Sequence, residues 1–269
     1  MKKLKNESGV ALISLAVIVI VLITLSVVFT VGSESTNQLR SYNAVKEDIV
    51  SLSEEAKMYY LKNNSLPVDT SRAINMSSVP QADKNPNDSG NYYPIKLSLL
   101  SSGFKLEKGE GNKKNNFDSE DLYVLNEKSL TVYYRKGIDL NGKKHYTIVD
   151  DFQGGSSANE YYSKVDMPII SAVTMESSGT DKTKAVAGDK ITLKILSNYN
   201  LTTKPTVMID GTTVTCTWNG NVGTAVYSVA SVSASKKGTR VSFSISNYAG
   251  NGKSGPTINE VTFGTRVSY

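Results

Sequence analysis

One histidine and one cysteine in 269 residues leave little room for side-chain chemistry. A single cysteine cannot form an intrachain disulfide, and no His/Cys cluster exists to hold zinc. The sequence contains no glycine-rich phosphate loop and no nucleophile elbow, and no Ser/His/Asp arrangement can be assembled around one histidine. Carboxylate pairs such as Asp150-Asp151 sit in a polar, glycine-rich stretch where solvent is their default partner. No catalytic residue, cofactor or metal is therefore expected, and the chain does not read as an enzyme. His145, in "KKHYTI", reads as an exposed or half-buried strand residue. Cys216 alternates with Trp218, the one tryptophan, and reads as a small buried hydrophobe.

Clustered cations are also missing. The net charge is +5 and the pI about 9.0, yet the basic residues are spread out. "NKKN" at 112–115, "NGKKH" and "SKKGT" at 235–239 read as turns and hairpin ends. A phosphate-tracking surface needs denser charge than this, so no nucleic-acid partner is expected. Tyrosine is plentiful, with pairs at 59–60, 92–93, 133–134 and 161–162. Such residues supply rigid contact area in binding surfaces, and they also fill cores and sheets.

Charge is absent altogether between Val10 and Val31. At about 1.5 Å per residue this run makes a helix of roughly 33 Å, enough to cross a hydrocarbon core of about 30 Å. An export signal has a shorter apolar region, of about 7–15 residues, so cleavage after Ser33 is the weaker alternative. Ser14, Thr24, Ser26 and Thr30 can bond back to their own backbone within a membrane. Lys2, Lys3 and Lys5 precede the run and hold that end in the cytoplasm, which places everything after Gly32 outside. No cysteine near the run offers a lipid attachment site, and "GTRVSY" carries no sortase signal.

Beyond Gly32, Leu39, Tyr42, Val45, Ile49, Leu52, Ala56 and Tyr59 recur every three or four residues and predict one apolar helix face. Lys46, Glu47, Asp48, Glu54, Glu55 and Lys57 form the expected solvated remainder. "NNSLP" at 63–67 supplies the stop. Residues 66–98 read as loop. Within it "DKNPNDSGN" gathers side-chain oxygens without the spacing of a calcium loop, and turn chemistry accounts for the composition. "YYPIKLSLLSSGFKL" reads as a short helix or strand ending at Gly103. Two hairpins follow: Leu122 and Val124 against Leu130, Val132 and Tyr134, then "IDLNGKKHYTIV" turning at Asn141-Gly142.

The boundary at Gly9 is abrupt: a lysine-rich leader, a glycine, then the apolar run at once. "KNESG" followed by "VALISLAVIVIVLITL" resembles the class III leader of type IV pilins and type II secretion pseudopilins, in the form seen in low-GC Gram-positive bacteria. The resemblance implies a leader at 1–9, cleaved between Gly9 and Val10 by a prepilin peptidase, with N-methylation of Val10. It implies a transmembrane helix at 10–31 and a stalk helix with globular head at 32–150. Other pilin or pseudopilin subunits, an assembly platform and the membrane become the expected partners. It also adds calcium as an alternative occupant of the 83–91 loop. An uncleaved anchor is the alternative reading of the leader. The chain departs from the pattern at Ser14, where abundant pilins carry a Glu that pairs with a neighbour's N-terminal amine; this points toward a minor subunit at a filament tip.

Residues 151–165 have a linker's polar, glycine-rich make-up, and composition then shifts to Thr, Val and Ser. Candidate strands are "IISAVTM", "KITLKILS", "PTVMID", "TTVTCTW", "TAVYSVASV", "RVSFSIS" and "NEVTFGTRVSY". About seven short strands over about 100 residues predict a β-sandwich at 166–269. "AGDKITLKI" and "SFSISNYAGNGKSG" look like bacterial Ig-like domains, which implies a surface ligand. The expected fold class is α+β: a transmembrane and amphipathic long helix on a small antiparallel sheet, pilin-like, then an all-β Ig-like sandwich. Three functions stay open on this reading: a pilus or pseudopilus subunit, an unassembled membrane-anchored adhesin, or a secreted two-domain protein.

Overall fold

In the computed structural model the described residues are 36–106, 123–140, 142–149, 157–164 and 168–269. The leader, the apolar run and the expected site residues Gly9, Val10 and Ser14 lie outside them. The fold is α+β: a long N-terminal helix packs on antiparallel sheets and a mostly β region follows.

Helix α1 covers 36–63. Tyr42, Val45, Ile49, Leu52 and Ala56 are buried along one stripe, as their spacing dictates, while Leu39 at the outer end of that stripe stays 37% exposed. The stop is a left-handed cap. Asn64 takes φ 53° and its N–H donates to the Tyr60 carbonyl at 2.9 Å, while Asn63 Nδ2 donates to the Tyr59 carbonyl at 3.0 Å. Asp48 departs from the expected solvated face. It is buried, and Tyr123 donates its hydroxyl to Asp48 Oδ2 at 2.6 Å.

Strands β1 (Tyr92–Pro94), β2 (Tyr123–Asn126) and β3 (Val132–Tyr134) form an antiparallel sheet in that order. Val132 lies opposite Leu125 and Tyr133 opposite Val124, so the two apolar sets of this hairpin point to opposite faces. Both faces are covered. Tyr123, Leu125, Val132 and Tyr134 join the core under α1, and Val124 and Tyr133 pack with Met76 and Val79 beneath the preceding loop. Strands β4 (Ile138–Leu140) and β5 (Lys143–His145) make the second hairpin, with Gly142 at φ 76° in its turn. In the segment of linker composition, α2 (Ala158–Lys164) buries Ala158 among Tyr42, Leu140 and Val149.

The β region opens with β6 (Ile170–Ser177) and β7 (Lys190–Ser197), followed by β8 (Leu201–Thr203), β9 (Thr206–Ile209), β10 (Thr212–Val214), β11 (Cys216–Asn219), β12 (Val222–Ser228) and β13 (Phe243–Ser246). Two short strands, β14 (Ala249–Gly250) and β15 (Lys253–Ser254), complete the set. One sheet has the order β11-β12-β7-β6 and another β10-β9-β13, and their facing residues share one core. The stretch "TTVTCTW" is two strands: it leaves one sheet after Val214 and enters the other at Cys216. "NEVTFGTRVSY" makes no regular strand. Ser268 bridges Lys184 in parallel and Arg240 in antiparallel, and Ile258 bridges Ile245.

Ile191, Leu193 and Ile195 alternate into the shared core as their spacing requires, but Leu196 beside them is also buried, on the opposite face. There it stands in register with Ala172 of β6 and Val222 of β12. This row of three belongs to the same core as α1 and β1–β3. The helix end is also tied directly, since Lys194 Nζ donates to the Lys62 carbonyl at 2.9 Å. A cation at a helix C-terminus meets both the dipole and an otherwise orphaned carbonyl.

Candidate functional site

The oxygen-rich loop at 83–91 is committed to its own architecture. Asp88 accepts from Ser129 Oγ on one oxygen, and from the Tyr92 and Tyr133 hydroxyls on the other, the Tyr92 bond being 2.9 Å. Asn85 Nδ2 donates to Thr131 Oγ1 at 2.8 Å, and its Oδ1 accepts the Asn87 N–H at 2.9 Å. Burial pushes the Asp88 carboxyl above its ordinary range, against the pull of the three hydroxyls. Burial and the Asp88 charge push Tyr92 and Tyr133 upward in turn. Asp83 faces another way: Lys143 Nζ stands 3.9 Å from its Oδ1, which has no hydrogen-bond partner. Among the described residues no group of three or more His, Cys, Asp or Glu lies together.

His145 is not the exposed or half-buried strand residue that its surroundings in sequence suggest. It is buried beside Tyr42, ring centroids 6.0 Å apart at 70°, and neither ring nitrogen has a hydrogen-bond partner. Burial lowers its pKa and Lys143 adds to this, with Asp83 opposing. The Tyr42 hydroxyl bonds the backbone of Val149 twice, accepting from its N–H at 3.0 Å and donating to its carbonyl at 3.1 Å. This fixes the end of the second hairpin to α1.

In the β region, Cys216 and Trp218 are both half-buried and pack against the shared core. Burial pushes the Cys216 thiol up to about 11, with nearby Lys204 pulling the other way, so the thiolate is scarce at neutral pH. Trp218 lies opposite Gly223 on the neighbouring strand, and a methyl group there would stand 2.7 Å from Trp218 Cζ2. The glycine is what lets the indole lie down on the sheet.

Two clefts stand out, one beside α1 and one within the β region. One, of about 280 Å³, lies between Met58, Leu61 and Lys62 of the helix and Thr174, Lys194 and Phe263. The other, also about 280 Å³, opens between two stretches that each carry an aromatic residue close to asparagines, "SNYN" at 197–200, at the end of β7, and "WNGN" at 218–221, at the turn from β11 to β12. The expectations drawn from sequence gave these stretches no role. Their repeated pairing of aromatic and amide was the available signal, but the contact needs β7 and β12 to pair before it exists.

No family model, curated protein or solved structure matches this chain. No helix among the described residues is long and apolar enough to cross a membrane; the run from Val10 to Val31 lies outside them.

Proposed function

We propose that this chain is a minor, tip-located structural subunit of a type IV pilus or pseudopilus that displays an Ig-like binding domain at the cell surface. One observation carries the reading. The chain that leaves the lysine-glycine leader and apolar run continues as an amphipathic helix whose single apolar face packs on a small antiparallel sheet. A pilin needs this division of labour, with one helix half in the filament and the other seating the head.

The strand order of the β region supports the Ig-like part. Taking β6, β7, β9, β11, β12 and β13 as strands A, B, C, D, E and F, one sheet runs D-E-B-A and the other places F beside C. The C-terminal segment adds to the edges of both sheets, Ser268 bridging Lys184 in the β6–β7 connection in parallel and Arg240 before β13 in antiparallel. A sandwich does not define a ligand. Ser14 favours the second reading, an unassembled membrane-anchored adhesin, because its hydroxyl cannot form the ion pair on which bulk assembly depends.

N-terminal analysis of the protein from membranes of cells with an active prepilin peptidase separates the readings. The subunit begins at Val10. A chain that keeps Met1 is the unassembled anchor, and one that begins near Glu34 is secreted.

A further inference from the structure

We propose that the cleft between residues 197–204 and 218–221 is a saccharide-binding site. The proposal rests on the reading of the β region as a displayed binding domain and names the chemistry that it takes.

The walls are unusual for this molecule. Trp218, the only tryptophan in the chain, and Tyr199 line a hollow of about 280 Å³, with Asn200, Lys204 and Asn221 around it. Small-ligand sites combine a shaped apolar surface with a few placed polar groups, and this cleft has both. An indole and a phenol give flat surfaces for the C–H faces of a sugar ring. Amides and an ammonium group give donors and acceptors for its hydroxyls.

Three polar side chains at the cleft are available. The side chains of Asn200, Asn221 and Lys204 make no hydrogen bond or ion pair with another described residue, whereas the neighbouring Asn198 side chain is tied to the Pro168 carbonyl at 2.9 Å. Trp218 Nε1 is not among them: it is buried, and the adjoining Cε2 and Cζ2 lie over Gly223. The scaffold beneath is meanwhile firmly held. The Ser197 N–H donates to the Asn221 carbonyl at 2.9 Å, joining the two stretches, and Ser197 Oγ is hydrogen-bonded to the Tyr199 carbonyl at 2.7 Å. A preformed hollow with idle polar side chains is organised for a ligand before the ligand arrives.

Lys204 biases the choice. A free ammonium at the edge of a hollow without a carboxylate favours a sugar that carries negative charge, such as a uronic or sialic acid, over a neutral hexose.

Trp218 is its own reporter. The full chain in a detergent without sugar groups is titrated with oligogalacturonate, sialyllactose, lactose and an N-acetylglucosamine tetramer, following tryptophan emission. The expected result is a saturable shift with at least one acidic saccharide. Asn221→Ala should weaken it at least tenfold, and Lys204→Ala should remove the preference for acid over neutral sugar. Lys204 is exposed and Asn221 half-exposed, and neither side chain has a partner to lose, so thermal melts of both variants should match the parent. No saturable response to any of the four overturns the proposal. So does a response unchanged in Asn221→Ala, or one given by a proline-rich peptide and by none of the sugars. Binding needs no filament, so its failure leaves the subunit reading standing, and a chain that binds sugar but keeps Met1 fails only that reading.

Discussion

The Tyr123 hydroxyl donates to Asp48 Oδ2 at 2.6 Å, joining the middle of α1 to the first residue of β2 through two buried side chains. Asp48→Ala should cost about 1–3 kcal/mol in denaturant unfolding, because it strips a partner from a buried hydroxyl. Asp48→Ala combined with Tyr123→Phe should cost less than the two single losses added together. Strict additivity would mean that the pair is not coupled.

His145 predicts a pH dependence with a definite sign. Burial sets its folded pKa below the unfolded value of about 6.5, so the unfolded chain binds the proton more readily. The stability is fully present above that unfolded value and declines as pH falls below it, until the lowered folded pKa is reached. Asp88, whose carboxyl is pushed upward, acts in the opposite sense and is common to parent and variant. Melting temperatures at pH 7.5 and 5.5 should differ more in the parent than in His145→Gln, and an equal difference would remove His145 from the account.

Leu196→Ala opens a cavity where Ala172, Leu196 and Val222 meet the core under α1. The expected loss is about 2–5 kcal/mol. Trp218 emission, reporting the β region, and far-ultraviolet helix signal, reporting α1, should move to lower denaturant together. A shift in one signal alone would show that the contact does not couple them.

Gly223→Ala forces a methyl group against Trp218 and Cys216 Sγ, which would stand 2.7 Å and 2.9 Å away. Overpacking of this kind costs about 1–3 kcal/mol, and the tryptophan spectrum should change in the native state. An unchanged spectrum and midpoint would show that the indole moves aside freely.

Ser14→Glu tests assembly. The parent should be rare against co-purified pilins in sheared filaments, since a charge at mid-membrane costs about 2.5–3.5 kcal/mol and Ser14 cannot neutralise a neighbour's amine. The substitution should raise its share. A parent ratio near one to one would defeat the tip placement.

The face of α1 from Tyr42 to Ala56 and the inner face of β7 were legible because each depends on one period held over several turns or residues. The left-handed stop at Asn64 followed from local turn chemistry in the same way. Asp48 was not legible: it sits beside Ile49 on the stripe's edge, and the Tyr123 hydroxyl that meets it inside the core comes from far along the chain. Leu196 next to Ile195 breaks the alternation and forms a second buried face, covered by an element far away in sequence. His145 failed for a related reason, since the ring that covers it belongs to Tyr42. The break between Val214 and Cys216 has no marker, because both halves alternate like one strand. The candidate cleft was invisible for want of the strand pairing that brings Asn200 and Asn221 to one rim.

The row of Ala172, Leu196 and Val222 also determines where the cleft looks. Val222 follows Asn221 directly, and Leu196 precedes Ser197, so both sides of the cleft spring from residues clamped against the helix core. The hollow therefore does not swing on a tether; its bearing is that of α1. Turning the helix by some angle turns the mouth of the cleft by the same angle. A drag on the cleft reaches the helix through the side chains of this row and through the Lys194 bond to the Lys62 carbonyl.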